Sequence, residues 1–359
     1  MKNKVLVGTR KGLLVLEKQN GSWKIVADHF MGIPVNLVFE DARNGNWWVA
    51  LDHGHWGNKL HFSSDKGATW TEITAPQYPD GAMIKDDKPA SLRYIWAFAE
   101  TGNGLSEGLW IGTEPGGLFH MDRECKMDLV ETLWNHPSRP EGWFGGGRDY
   151  AGIHSIVVDS RDPGHIYVGI SVAGVFETRD GGNSWYPKNK GLRADFLPDP
   201  QAEIGHDPHL LVSCAAYPNV LWQQNHCGIF RTTDGGENWS DISDPDGDAN
   251  FGFAIAADPN DPLRAWVAPA TSDGVRVAVD KKMCICRTDD GGNTWKTFRN
   301  GLPQEYAYDI VFRHALISNG TDVLFGTTTG NLFSSADEGE NWSTISNFLP
   351  MIYSLAFAS

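Results

Sequence analysis

The segment Thr178-Arg179-Asp180-Gly181-Gly182-Asn183-Ser184-Trp185 carries the pattern that decides the fold, because the chain contains it five times. Each copy reads Ser/Thr-x-Asp-x-Gly-x-Ser/Thr/Asn-Trp, and the copies occupy residues 63–70, 178–185, 232–239, 288–295 and 335–342. An Asp in such a turn hydrogen-bonds backbone amides, and Gly supplies a positive φ. The Trp then re-enters a strand and buries a large ring. The repeat therefore predicts a series of equivalent β-hairpins.

The spacing of the copies predicts an all-β fold, a seven-bladed β-propeller whose blades have four antiparallel strands. Two worn copies, at residues 17–21 and 121–125, complete the series. The first unit lacks an innermost strand, and Tyr353–Phe357 at the C-terminus has the pattern of one. This strand is expected to complete the first blade and so remove two free sheet edges. We expect residues 1–359 to form a single propeller domain.

Composition limits the classes of partner. The formal net charge of the 359 residues is −15, and no cluster of basic residues offsets it, which argues against nucleic acid. No apolar run approaches the roughly 20 residues of a membrane span, and the N-terminus lacks a signal-peptide pattern. These patterns predict a cytoplasmic protein with no membrane partner. The five cysteines match no zinc framework and are expected to be small buried hydrophobes.

Two long connections are candidates for function. They run over about residues 133–152 and 188–208, and both precede an innermost strand. Loops longer than about 12–15 residues are usually functional or disordered, and the aromatic residues here argue against disorder. In a propeller such loops surround the mouth of the central channel, so we expect both to cover blades four and five.

Histidines cluster on the same two blades. The first positions of the innermost strands are predicted to form a ring of Tyr353, Val35, Ile95, His154, His209, Phe253 and Tyr308. His154 and His209 are neighbours in this ring, and the proposed metal ligands are His154, His209, His226, His53 and His206. Imidazoles with a carboxylate suit a divalent transition metal. A metal-free binding or acid–base site, or histidines that only hydrogen-bond water and backbone, are the alternatives.

Carboxylates at the mouth allow glycoside hydrolysis, which needs two of them roughly 5–10 Å apart. The catalytic candidates are Glu114, Asp149 and Asp207, with Arg148 beside them, and Asp52 is a further carboxylate at the mouth. Any of these could instead cap a loop or pair with an arginine. The residues expected to contact a small-molecule or sugar substrate are Arg10, Trp143, Tyr150, Tyr308 and Asn225.

The repeated turn resembles the Asp box of BNR-repeat propellers, a superfamily that includes sialidases, sortilin-type receptors, xyloglucan-cleaving glycosidases and a photosystem II assembly factor. The resemblance covers most of the chain as repeat architecture. Sialidases also carry a Phe/Tyr-Arg-Ile-Pro element, whereas Met31-Gly32-Ile33-Pro34 lacks the Arg. The resemblance thus implies the fold and argues against a true sialidase.

Two hypotheses of function follow. The first is a carbohydrate-type enzyme at the channel mouth over blades four and five, a hydrolase or a metal-dependent lyase that uses the clustered histidines. The second is a non-catalytic propeller that binds a ligand or a protein, since no complete catalytic motif is present.

Overall fold

The computed structural model describes residues 2–85, 88–102 and 108–359. Its main sheets are seven four-stranded antiparallel blades, as predicted. The innermost strand of each blade, which is Ile352–Ala358 in blade one, packs against the innermost strands of both neighbouring blades. These strands therefore surround a central channel, and the fourth strands lie at the periphery.

The strands follow the predicted register in most blades. Blades one to three comprise Lys4–Thr9, Gly12–Gln19, Ser22–His29 with Ile352–Ala358; Val35–Glu40, Trp47–Asp52, Asn58–Ser63, Thr71–Ile73; and Tyr94–Glu100, Leu109–Glu114, Leu118–Met121, Met127–Leu129. Blades four and five comprise Ile153–Asp159, Asp162–Ile170, Gly174–Thr178, Tyr186–Pro187; and Pro208–Cys214, Tyr217–Asn225, Gly228–Thr232, Ser240–Asp241. Blades six and seven comprise Gly252–Ala257, Ala265–Pro269, Ile285–Thr288, Lys296–Phe298; and Leu316–Ser318, Val323–Gly326, Leu332–Ser335, Ser343–Ser346.

The ring closes as the sequence predicted. Ile352–Ala358 pairs antiparallel with Lys4–Thr9, and Val5 lies opposite Phe357. The C-terminal strand also packs against the first strands of blades two and seven. The strand that begins the sequence thus obtains its inner partner from the other end of the chain, so the edge of blade one is covered.

The five repeated turns, which we call the rim turns, are hydrogen-bonded in the same way. In blade four the Thr178 hydroxyl donates to Asp180 and accepts from the amide of Gly182, whose φ is 94°. The Asp180 carboxylate also accepts from the backbone and side chain of Ser184. The other four copies repeat these bonds. Each rim turn thus stabilises its hairpin through hydrogen bonds within the turn itself.

A β-bulge marks the start of the first strand in six blades. The register skips one residue there, and the skipped residues are Tyr353, Asn36, Trp96, His154, His209 and Phe253. A bulge leaves its extra residue out of the ladder and re-aims its side chain. The predicted ring is therefore confirmed for Tyr353, His154, His209 and Phe253. In blades two and three the ring residues are Asn36 and Trp96, one position after the predicted Val35 and Ile95.

Blade seven departs from the prediction, which placed its innermost strand at residues 308–312. That segment is not a strand, and Leu316–Ser318 is the first strand instead. The Asp309 carboxylate accepts hydrogen bonds from Thr329 and Asn331, and Ile310 exchanges bonds with Thr328. Hydrogen bonds to side chains thus replace most of the backbone bonds that a strand would make here. Residues 308–312 therefore do not form a strand, despite their apolar pattern.

The remaining elements are short. They are the hairpin Met83–Lys85 with Lys88–Pro89, the α-helices Glu131–Trp134 and Arg139–Gly142, and the 3-10 turns Gly54–Trp56 and Val279–Lys281. Across the described residues, no helix has the length and apolar character needed to cross a membrane. The helix Arg139–Gly142 lies in the long loop 133–152, which leads to the channel mouth.

Candidate functional site

A cavity of about 510 Å³ lies at the channel mouth, within the usual size range of small-molecule sites. We call it the mouth cavity. The bulged residues Trp96, His154, His209 and Phe253 reach it from four blades. Its other lining residues are Glu114, Phe144, Gly146, Gly147, Arg148, Tyr150, Ser171, Val172, Phe196, Asp207, His226, Asp273, Arg276, Phe312 and Arg313. Both long loops contribute, as the sequence predicted.

Asp207 stands at the centre of a cluster with His209 and His226. Its Oδ2 is 3.6 Å from Nε2 of His209 and 3.6 Å from Nδ1 of His226. Its Oδ1 accepts from the amide of Val172. Burial would raise the pKa of Asp207, whereas the positive charge of Arg313 lowers it. Asp207 is therefore ionised at neutral pH.

The tautomer of His209 follows from its contacts. Nδ1 lies 2.6 Å from the carbonyl oxygen of Gly252, which can only accept, so Nδ1 carries the proton. Burial lowers the pKa of His209, which keeps the ring neutral, and Nε2 then bears a lone pair. Two acceptors, Nε2 and the Asp207 carboxylate, thus face each other across a gap too long for a hydrogen bond.

His154 lies in the same cavity but outside this cluster. Its Nδ1 is 2.9 Å from the hydroxyl of Ser155, and its Nε2 is buried with no hydrogen-bond partner among the described residues. Burial and the charge of Arg313 hold the pKa of His154 well below its usual value. His154 is therefore a neutral imidazole with one enclosed nitrogen that no described residue engages.

Glu114 and Arg148 form an ion pair on the blade-three side of the cavity. Glu114 also accepts from the indole of Trp96 at 3.3 Å, and its side chain is buried. The guanidinium carbon of Arg148 lies 4.8 Å from the ring centre of Tyr94 and 5.5 Å from that of Trp96. Arg148 thus joins the Gly-rich loop to an aromatic wall.

Two further arginines complete the lining. Arg276 pairs with Asp273 at the rim of the cavity, and both side chains are exposed. Arg313 lies deeper, with its guanidinium carbon 5.3 Å from the ring of Trp96 and 5.7 Å from that of Phe253. Burial lowers the pKa of Arg313, and Asp207 opposes that shift.

Of the predicted site residues, the structure brings together Glu114, Arg148, Tyr150, Asp207, His154, His209 and His226. Asp149 lines an adjoining cavity of about 150 Å³ together with Trp143 and Tyr150. The Trp143 ring is a core side chain, since it is 4% exposed and packs 5.3 Å from Phe176. Its indole donates to Ser138.

The remaining predicted residues lie outside the described lining of the mouth cavity. Asn225 is buried and donates to Gln223. His206 donates through Nε2 to the carbonyl oxygen of Ala202, which fixes its loop. His53 precedes the 3-10 turn Gly54–Trp56 of blade two. Arg10 and Tyr308 are exposed on blades one and seven.

Sequence reasoning missed several residues of the site. Trp96 follows the predicted ring position by one residue, and its bulge could be found only from the strand register. Arg313 lies just after residues 308–312, the segment predicted to be the innermost strand of blade seven. Arg276 and Asp273 lie on the connection between the second and third strands of blade six. The sequence indicates that this connection is functional only through its length, since it runs from Pro269 to Ile285.

Fold and cavity together define a seven-bladed propeller with a ligand-sized mouth, and comparisons place it among known proteins. The chain matches no protein-family profile. It is 27% identical over 299 residues to a "Probable oligoxyloglucan-reducing end-specific xyloglucanase" of Neosartorya fischeri, covering 73% of this chain and 33% of that protein. The chain therefore spans about a third of the length of this curated relative.

Solved structures show the same fold. A GH74 enzyme of Niastella koreensis superposes with a TM-score of 0.61 at 16% identity, over 95% of this chain and 52% of that one. YCF48 bound to D1 peptide superposes with a TM-score of 0.51 at 15% identity, over 87% of this chain and 83% of that one. At these identities the likeness is one of fold, and the chain is a propeller with low-identity xyloglucanase relatives.

Proposed function

We propose that the protein is an Asp-box propeller that binds an oligosaccharide in the mouth cavity and hydrolyses a glycosidic bond there. One observation carries the proposal. Of the four carboxylates considered from the sequence, Glu114 and Asp207 are the two that line the mouth cavity, and they share it with the aromatic side chains of Trp96, Tyr150 and Phe253. The xyloglucanase relatives support the carbohydrate class of the substrate.

The two carboxylates are suited to different tasks. Asp207 is ionised at neutral pH, so it can act as the base that activates water or as the group that stabilises positive charge on the sugar. Glu114 is the partner carboxylate for the leaving oxygen, and Arg148 and Trp96 fix its orientation. The ion pair between Arg148 and Glu114 must break when Glu114 takes up a proton. We therefore expect the ligand to displace the Arg148 side chain as it enters.

The experiment is a hydrolysis assay on xyloglucan, cello-oligosaccharides and pectic oligosaccharides, read out as new reducing ends. We expect cleavage by the natural protein and a loss of about 10²–10⁴-fold in Glu114→Gln and Asp207→Asn. Arg123→Gln, an exposed residue in the turn after Leu118–Met121 at the far end of blade three, is the control. Binding of an oligosaccharide without cleavage would instead support the non-catalytic propeller, and equal rates in all variants would refute the assignment of the carboxylates.

A second candidate function is a divalent metal site at Asp207, His209 and His226. One ligand atom from each of these residues lies within 4.8 Å of the others. The favouring observation is the Nε2 lone pair of His209, which faces an ionised carboxylate with no proton between them. Its Nδ1–H bond to the Gly252 carbonyl would orient the imidazole so that Nε2 could ligate a metal. His154, His206 and His53 lie outside this group.

Metal content of untagged protein incubated with Zn²⁺ and dialysed tests this candidate. Stoichiometric zinc that is lost in His226→Ala and kept in His206→Gln would support it. Zinc retained equally in both variants, or no zinc in the natural protein, would exclude the cluster as a metal site.

A further inference from the structure

We propose that Arg313 receives a carboxylate of the ligand, so that the mouth cavity selects an acidic sugar of the uronate type. The inference deepens the proposed function and rests on it for the carbohydrate class of the ligand. The subsite lies on blade seven, where the sequence predicts only Tyr308 as a substrate contact. The carrying observation is a guanidinium that lines a ligand-sized cavity without a hydrogen-bond acceptor.

Arg313 differs from the other enclosed arginines. Within the described residues, the buried or partly buried arginines are Arg43, Arg139, Arg231, Arg264, Arg287, Arg299 and Arg313. The first six donate to carboxylates or backbone carbonyls. Arg313 has no hydrogen bond or ion pair to a described residue, and its Nε is fully enclosed. Enclosed polar groups are nearly always hydrogen-bonded, so an exception of this kind is a functional candidate.

The surroundings hold the guanidinium in place without neutralising it. Trp96 and Phe253 flank it from blades three and six, at 5.3 and 5.7 Å from their ring centres. Aromatic faces attract a cation but supply no acceptor for its five N–H groups. Among the described residues, no hydrogen bond compensates the desolvation of Arg313, and an incoming anion would supply one.

The neighbouring charges favour an anion with a single negative charge. Arg148 is already paired with Glu114, and Arg276 with Asp273, so neither pair leaves a net charge beside Arg313. Asp207 acts on Arg313 only at longer range, since no ion pair joins the two. One free guanidinium beside an ionised Asp207 matches a carboxylate, which it can grip through two parallel N–H bonds, better than a phosphate dianion.

Ligand-induced thermal stabilisation tests the subsite. Glucuronate and trigalacturonate are compared with glucose and with the methyl ester of trigalacturonate, which has no charge and is larger only by its ester methyl groups. We expect the acids to raise Tm and the neutral partners to bind at least about tenfold more weakly. Arg313→Gln should abolish this preference, Arg313→Lys should retain part of it, and Arg123→Gln should leave it unchanged. Tm without ligand reports whether each variant folds.

The outcomes separate this inference from the proposed function. Cleavage of neutral oligosaccharides with no preference for acids would overturn the role of Arg313 and leave the hydrolase in place. A preference for acids that depends on Arg313, without any cleavage, would support the subsite and overturn the hydrolase. The subsite would also be overturned if no carboxylate bound, or if the acid preference persisted in both Arg313 variants.

Discussion

The rim turns and the mouth cavity lie at opposite ends of the blades, and they differ in how their ionisable side chains are hydrogen-bonded. In each rim turn the Asp carboxylate and the Ser/Thr hydroxyl are fully used within eight residues. In the mouth cavity His154 and Arg313 keep enclosed nitrogens without partners among the described residues. Satisfied groups stabilise a fold, whereas unsatisfied enclosed groups reduce its stability unless a ligand completes them. The comparison separates the structural motif from the functional site.

The largest expected effect comes from two arginines that embody this contrast. Arg287 is buried and contacts Asp289, Glu338 and Glu340, so Arg287→Met should lower the free energy of unfolding by about 2–4 kcal/mol. Arg313→Met should have a much smaller effect, because that guanidinium makes no hydrogen bond or ion pair to a described residue and interacts with Asp207 only at longer range. Urea unfolding of both variants measures the difference. Equal destabilisation by the two substitutions would contradict the contrast.

An acid-dependent effect is expected in the outer part of blade four. Burial would raise the pKa of Glu177, but hydrogen bonds from His165, Arg179 and Lys188 lower it to about 2. The folded-state pKa is below the unfolded value, so the stabilisation is present above about pH 4.5 and is lost as pH falls towards 2. It amounts to roughly 3 kcal/mol at most.

Glu177→Gln should therefore flatten the pH dependence of stability between pH 4.5 and 2. Thermal unfolding across this range, with the natural protein in parallel, is the measurement. A variant whose stability falls with acid as steeply as that of the natural protein would show that Glu177 is not the group responsible.

A smaller effect is expected in the rim turns. Thr178→Val keeps the shape of a buried side chain but removes the acceptor for the amide of Gly182, at a cost of about 1–3 kcal/mol. Thr178→Ser retains the hydroxyl and serves as the control. Ligand affinity should be the same in both variants. A loss of affinity in Thr178→Val at a temperature where it remains folded would mean that the rim turns contribute to the site.

The smallest effect is expected for the ion pair of Arg276 and Asp273. Both side chains are about half exposed, so Arg276→Gln should change the free energy of unfolding by less than about 1 kcal/mol. Denaturant unfolding at low and high salt checks this value. A larger loss would place Arg276 among the structural groups of the propeller.

Much of the fold could be predicted because short-range sequence patterns determine it. The rim turn recurs with its Asp, Gly and Trp, and the spacing of its copies fixed seven blades and the closing strand. The register also placed His154 and His209 side by side, since their blades carry equivalent bulges. Blade seven was predicted wrongly because Asp309 bonds Thr329 and Asn331 in place of a ladder, which apolar periodicity cannot reveal.

The site could be predicted only in part, because its geometry depends on contacts between blades. Trp143 has the composition of a ligand-binding aromatic residue, yet it packs against Phe176 in the core. Arg313 contacts Trp96 and Phe253, which are more than fifty residues away in the sequence. Whether an arginine has a partner is a property of the folded ring, so no local pattern could identify this subsite.

The most direct test of the central claim, that the mouth cavity is the ligand site, is calorimetric titration of one oligosaccharide. The ligand is the compound that gives the largest Tm shift, titrated into the natural protein, Trp96→Ala and Thr178→Ser. Loss of a central aromatic contact typically costs 2 kcal/mol or more, so we predict at least about 30-fold weaker binding to Trp96→Ala and unchanged binding to Thr178→Ser. Binding to a folded Trp96→Ala variant with the affinity of the natural protein would contradict the account.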